Sequence, residues 1–334
     1  MSFEKKIKKK VFKFKNTKTV TAKRKRVVLK AHYQSEKPYA GIKKITHNPI
    51  IGPKKENSWE SWQTFNPTAI LIKDKVHFLY RAIGNDGISR FGYANSKNGF
   101  ELDERHLTPV YQDPDICKNY VCYSLASGGS WGGCEDPRIV RIDEGDKIYI
   151  TYTSCSNGLR VSLSSIKVSD FLNKKWNWSS PRQISPPGEV HKNWIIFPEK
   201  INGKYAILHS ISPKILIDYV DSLDFKKGEY IQSCYYHPKT SSQKWDSYLR
   251  GPGPTPIKTK YGWLLFYHAM NHQDMGKYKV GAMFLDLKDP TKILHRSQKP
   301  ILIPNEYYEM NGFKPGVVYV LGAVIKDEIG RAHV

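Results

Sequence analysis

Short apolar runs recur along this chain in pairs, each pair split by a polar turn. After Asn66-Pro67 comes TAILI, then KDK, then VHFLYRA. After Asp136-Pro137 comes RIVRI, then DEGDK, then IYITYTS. Phe197-Pro198 opens EKI, NGK and YAILHSI, and Gly253-Pro254 opens TPIKTKYG and WLLFYHA. The second run of each pair alternates aromatic or aliphatic with smaller and polar residues. Two such runs joined by a Gly/Asp/Lys turn predict a β-hairpin. The marker prolines Pro67, Pro137, Pro198 and Pro254 lie 70, 61 and 56 residues apart.

A third run follows each hairpin: FGYANSKNGF, SLSSIKVSDF, ILIDYVDSLDF and VGAMFLDLKDP. With a variable fourth strand, each repeat makes one four-stranded sheet. Sheets that repeat every 50–70 residues around an axis predict an all-β chain, a five-bladed β-propeller. No apolar pattern of helical period runs for ten residues or more, which disfavours α/β alternatives. A fifth copy opens at Gly316 and reaches the chain end after one strand and half a turn, so an incomplete last blade is expected. Ile329 to Val334 also match the translation of a common sequencing-adapter string, which points to a natural C-terminus lying elsewhere.

Charge changes the picture at one end. The 334 residues carry 53 Lys and Arg against 31 Asp and Glu, a net charge of +22. Residues 1–30 hold 13 of those cations and a single acid, Glu4. Residues 1–39 therefore form a basic arm, and residues 40–334 a mildly basic propeller domain. A solvated charge run is the plain reading, and contact between residues 1–30 and a polyanion is the sharper one. Aromatics make up 13% of the chain, which excludes a disordered composition. No run reaches the ~18–20 apolar residues of a membrane-spanning helix. The N-terminal stretch lacks the apolar centre of a signal peptide. Five cysteines without a CxxC pair argue against a disulfide framework or a zinc site, so a cytoplasmic location and no metal are expected.

In a propeller, the strand starts converge on the axial channel. Asn66, Glu135, Asp136, Glu199 and Gly253 occupy those starts. Carboxylates that converge and are partly buried can serve as proton donors. Asp136 stands out among them, because its surroundings are Gly132-Gly133-Cys134-Glu135-Asp136-Pro137-Arg138. A turn-forming Asp before proline is the plain alternative. Aligning the second strands gives a further column, Arg81, Thr153, Ser210 and His268, of which Arg81 and His268 suit sugar hydroxyls or an anion. Trp59, Trp62, Trp131, Trp194 and Trp245 fall outside the regular strands, where indoles can stack on pyranose rings or simply pack.

FNPTAILIKDKVHFLYRAIGNDGISRFGYANSKNG, GGCEDPRIVRIDEGDKIYITYT, FPEKINGKYAILH, YGWLLFYHA and the KDPTKIL segment closely resemble glycoside hydrolase family 130, in order from about residue 45 to 327. That family contains β-mannoside phosphorylases and β-mannosidases on a five-bladed propeller. The resemblance implies cleavage of β-mannosidic bonds with inversion, on a β-mannoside oligosaccharide. It implies Asp136 as general acid, acting through a mannosyl hydroxyl. It places Asn66, Arg81, Asp86, Arg90 and Arg138 near the mannosyl subsite and matches Glu199 to the family's Phe-Pro-Glu-Lys carboxylate; His268, from the strand column alone, is a further candidate substrate contact. No cofactor is implied; a phosphorylase uses inorganic phosphate as co-substrate.

The sequence departs from the family in two places. Family phosphorylases carry Arg after the His of the third repeat, whereas this chain has Leu208-His209-Ser210. Serine lacks the charge and fork geometry of Arg. Lys192 and Arg250 are the remaining candidates for phosphate. A hydrolase would instead need a carboxylate base, with Glu199 as candidate, roughly 6.5–9.5 Å from the acid. The family's final Tyr-Tyr-Gly…Asp segment is also absent. Phosphorolysis and hydrolysis both stay open, and so does a non-catalytic carbohydrate-binding or adaptor propeller whose basic arm does the work. A homo-oligomer is compatible with each.

Overall fold

The computed structural model describes residues 42–114, 129–155, 158–234, 244–312, 314–326 and the backbone of 329–333. The basic arm and its polyanion contact lie outside the described residues. The paired runs of the sequence become antiparallel hairpins. The first repeat forms β1 (Gln63–Ile72), β2 (Lys75–Ile83), β3 (Ile88–Ser96) and a short β4 (Glu104–Arg105). The second forms β5 (Gly132–Arg141), β6 (Lys147–Ser154), β7 (Arg160–Lys167) and β8 (Arg182–Gln183), with the helical turn α1 (Val168–Leu172) between the last two. A brief parallel contact of Ile88 and Ser89 with Gly132 and Gly133 joins these two sheets.

The third repeat gives β9 (Ile195–Ile196), β10 (Tyr205–Ser210) and β11 (Leu216–Val220). The fourth gives β12 (Tyr248–Pro252), β13 (Ile257–Thr259), β14 (Gly262–Met270), β15 (Lys279–Leu285) and β16 (Ile293–Arg296). After the helical turn α2 (Tyr307–Asn311) come β17 (Gly322–Lys326) and β18 (Ile329–His333), which pair antiparallel. The chain is thus all-β. The single strand expected of the last repeat is corrected to a pair, because residues 329–333 pair antiparallel with β17.

Five apolar clusters lie between the sheets, in an order that runs round the chain. Leu79 and Phe91 of the first sheet pack with Ile139 and Ile150 of the second. Val140 and Leu163 of the second pack with Ile196 and Ile207 of the third. Leu208 of the third packs with Trp263, Leu265 and Met283 of the fourth. Val280 of the fourth packs with Val318 and Val320, just before β17. Val324 of β17 then packs against Ala69, Val76 and Phe78 of the first sheet. Lys326 also donates to the carbonyl of Asp74 in the β1–β2 turn. An apolar face on both sides of each sheet is what the alternating runs require, since a sheet must bury its faces against neighbours.

Two repeats share a detail that the sequence hides. Tyr80 on β2 lies over Gly92 on β3, and Tyr267 on β14 lies over Gly281 on β15. A Cβ at either glycine would sit within 2.3 Å of the tyrosine ring. Each hydroxyl donates to a buried acid, Glu60 or Asp246, at 2.7 Å. Arg105 and Arg296 close each triad from the outer strand. Trp59 and Trp245, one residue before each acid, stack on the two tyrosines. A ring over a glycine covers the backbone that the missing side chain would leave open.

Candidate active site

Strands β1 and β5 each bulge where the sequence reads Asn-Pro or Asp-Pro. Asn66 and Asp136 there take left-handed backbone, with φ of 51° and 53°. Asn and Asp tolerate that region better than other side chains, which is why these residue types stand at the bulges. The bulge turns both side chains toward each other, and Asn66 Nδ2 donates to Asp136 Oδ1 at 2.7 Å. Arg81, near the end of β2, is buried across from them. Its Nη1 donates to Asp136 Oδ1 at 3.2 Å and its Nη2 to Glu135 Oε1 at 2.9 Å. Ser89 and Ser130 accept from its remaining N–H groups. Burial alone would lower the Arg81 pKa; the Glu135 and Asp136 carboxylates more than offset that and hold it above its usual value. Lys192 Nζ donates to Glu135 Oε2 at 2.7 Å, so Glu135 is committed on both oxygens.

Arg138 organises the other half. It donates to the carbonyls of Asp136 and Gly253 and, at 2.9 Å, to Asn193 Oδ1. Tyr319 donates to the same oxygen at 2.9 Å. Asn193 has φ of 66°, and β12 bulges at Gly251, whose added Cβ would meet Asn193 Nδ2 at 2.8 Å. The cluster therefore draws a residue from every repeat. Asn193 carries no Pro marker, and the third repeat begins there rather than at Pro198; in the fourth, the bulge is at Gly251 rather than Gly253. The usable signal was an Asn or Gly just before the first apolar run, a residue able to reach positive φ.

Among the predicted site residues, Asn66, Arg81, Asp136, Arg138 and Lys192 come together in this network. Arg250 is near it, its carbonyl accepting from Asn193 and its guanidinium lying over the Tyr248 and Tyr278 rings. Lys192, His209, Ser210, Ser212 and Arg250 line one cavity. Asp86 and Arg90 form a two-pronged ion pair, at 3.0 and 2.6 Å, on the β2–β3 turn. Glu199 is a correction. It pairs with Lys258 beside the β5–β6 turn, where Asp143 N–H donates to the Pro198 carbonyl. That is the far end of β5, roughly 15–20 Å along the strand from Asp136 at ~3.3 Å per residue.

His268 follows Tyr267 as Arg81 follows Tyr80, so it keeps its expected column on β14, but the strand beside it bulges differently. It pairs with Gly251 at the β12 bulge, while Ala269 pairs with Leu249. Its ring is fully buried and stacks on Tyr319 at 3.8 Å. Burial, and then the Arg138 guanidinium, push its pKa down to about 3; the nearby Val320 and Gly251 carbonyls only partly oppose this. The unfolded chain therefore takes up a proton below about pH 6.5 that the folded chain refuses. The stability this group contributes is present above pH 6.5 and is lost as pH falls toward 3. Between pH 7 and 5 the wild type should lose about 2 kcal/mol more than His268→Phe, read from urea unfolding at both pH values. Parallel losses in the two proteins would refute a buried neutral imidazole.

A family model described as beta-1,4-mannooligosaccharide phosphorylase matches residues 35–333. The chain is 35% identical over 298 residues to the 1,2-beta-oligomannan phosphorylase of Thermoanaerobacter sp. (strain X514), covering 86% of this chain and 90% of that one. It is 36% identical over 307 residues to the beta-1,2-mannobiose phosphorylase of Listeria innocua serovar 6a, covering 87% and 77%. Among solved structures, a glycosyl hydrolase from Bacteroides ovatus superposes with a TM-score of 0.69 at 24% identity, over 86% of this chain and 88% of that one. The Listeria innocua enzyme in complex with beta-1,2-mannobiose superposes with a TM-score of 0.64 at 23% identity, over 86% and 91%. These two superpositions speak for the fold.

Proposed function

This chain belongs to glycoside hydrolase family 130 and is an enzyme acting on β-mannosides, and from that premise we propose that it cleaves them by phosphorolysis, with Asp136 as general acid. The sheets are read as the blades of a five-bladed propeller. The five clusters that link each sheet to the next, and the last strand to the first sheet, support that ring.

The observation that carries phosphorolysis is the cavity shared by Lys192 and Arg250 beside the Glu135–Asp136 pair. A bound phosphate is already anionic and needs cations rather than a base. Lys192 supplies a point charge and Arg250 a fork. Glu135 is held by Arg81 and Lys192, and Glu199 sits at the far end of β5, so neither is placed as the base of a hydrolase. Asp136 gives its proton to the leaving oxygen, by way of a mannosyl hydroxyl. Phosphate attacks the anomeric carbon from the opposite face, and the products are α-mannose 1-phosphate and the shortened acceptor. Asn66 and Arg81 fix the orientation of the carboxylate, and Arg138 fixes the Asp136 backbone.

One feature favours hydrolysis. Ser210, where family phosphorylases carry Arg, spends its hydroxyl on the Ser212 carbonyl. The full-length protein should be incubated with β-mannobiose and with mannosyl-N-acetylglucosamine, with and without phosphate. Mannose 1-phosphate formed only with phosphate is the expected product, and Lys192→Met should raise the phosphate KM about tenfold or more. Free mannose at a rate indifferent to phosphate would establish the hydrolase instead.

A further inference from the structure

The five loop tryptophans separate by burial. Trp194 and Trp245 are core residues, and Trp59 lies on Tyr80 with its indole N–H donating to the Leu107 carbonyl. Trp62 and Trp131 remain 43% and 52% exposed, and they line one cleft with Gly84, Asn85, Asp86 and Gly87. The cleft offers about 440 Å³, within the roughly 300–1,000 Å³ of small-molecule sites.

Backbone hydrogen bonds hold both tryptophans at the turn. Trp62 N–H donates to the Ile83 carbonyl and Trp131 N–H to the Gly87 carbonyl, so each is tied to an end of the β2–β3 turn. Gly87 has φ of 71°, and a Cβ there would lie 2.5 Å from the Trp131 ring. The turn thus needs glycine twice over, for its backbone and for the indole laid against it. Asp86, half exposed, projects from the same turn with Arg90 braced against it and against Gln112.

Chain neighbours of the cleft residues bond into the Asp136 cluster. Ser130, the residue before Trp131, binds both Arg81 and Glu135, and Ser89, just past the turn, accepts from Arg81 Nε. Trp131 precedes Asp136 by five residues along β5, at most roughly 16 Å. Aromatic walls with a carboxylate and an amide at their edge match a pyranose ring, which is apolar on its faces and rimmed by hydroxyls. Adjacent hydroxyls suit a carboxylate held in place by a guanidinium.

We propose that Trp62 and Trp131 form a binding site for a further sugar ring, beyond those held at the bond being cleaved, and that this chain prefers β-mannan oligomers of three or more residues to disaccharides. The proposal rests on the mannoside reading above. Its test compares kcat/KM for β-mannobiose and β-mannotriose in the wild type, Trp62→Ala, Trp131→Ala and Trp131→Tyr. Each alanine variant should lower the trisaccharide-to-disaccharide ratio about tenfold, through KM, and Trp131→Tyr should restore most of it. A ratio unchanged in both alanine variants overturns the proposal. Wild-type protein inactive on both sugars would count against the mannoside reading instead. The proposal is then decided by tryptophan fluorescence with β-mannotriose: saturable quenching lost in Trp131→Ala supports it, and no quenching in the wild type refutes it.

Discussion

Asp136→Asn is expected to cut kcat roughly 10²–10⁴-fold while the protein stays folded. Asparagine keeps the shape of the side chain and still accepts from Asn66 and Arg81 through its amide oxygen. It has no proton to give to a leaving oxygen. Arg81 keeps its partner in Glu135, so no buried cation is stranded. The loss should fall on kcat rather than KM, because the proton is transferred only in the transition state. It should shrink for a substrate with an acidic phenol as leaving group, which departs without help. A melting temperature near the wild-type value, together with that dependence on the leaving group, separates lost chemistry from lost structure. Activity within about threefold of wild type would remove Asp136 from the role.

Much of this arrangement is legible in the residues, and the exceptions share a cause. Hairpins are local, so Asp-Pro, Asn-Gly and alternating aromatics announce them directly, and the second run of each of the four repeats becomes a strand where the pattern puts it. Asp136 is legible because its bulge carries both a proline and a second carboxylate. Asn193 does the same job without either marker, since positive φ is what the bulge requires and Pro67 and Pro137 merely accompany it. Aligning the repeats on proline therefore displaced the third by about five residues. It put Glu199 at a strand start, when it lies beside the hairpin turns and pairs with Lys258. The Tyr–acid–Arg triads join residues up to 50 apart, and no local pattern could reveal them.

Arg81→Met should destabilise the protein by about 3–5 kcal/mol, the cost of stripping one partner from a buried ion network. Arg81 is wholly buried and bonds both carboxylates, at 2.9 and 3.2 Å, and its guanidinium lies over the Phe65 ring at 4.7 Å. Methionine fills much of that space and still packs on Phe65, so a cavity contributes little. What changes is charge. Two carboxylates now share one cation, Lys192, which bonds Glu135 at 2.7 Å. Arg81→Lys keeps the charge without the fork and should fall between wild type and Met. The decisive comparison is the double variant Arg81→Met/Glu135→Gln. If the loss comes from the stranded negative charge, neutralising Glu135 recovers part of it, and the two changes fail to add by 1 kcal/mol or more, within the roughly 0.5–3 kcal/mol of coupled neighbours. Urea unfolding of the four proteins measures the cycle. Strict additivity, or a single Met variant within about 1 kcal/mol of wild type, would mean that the cluster is held by packing rather than by its buried charges.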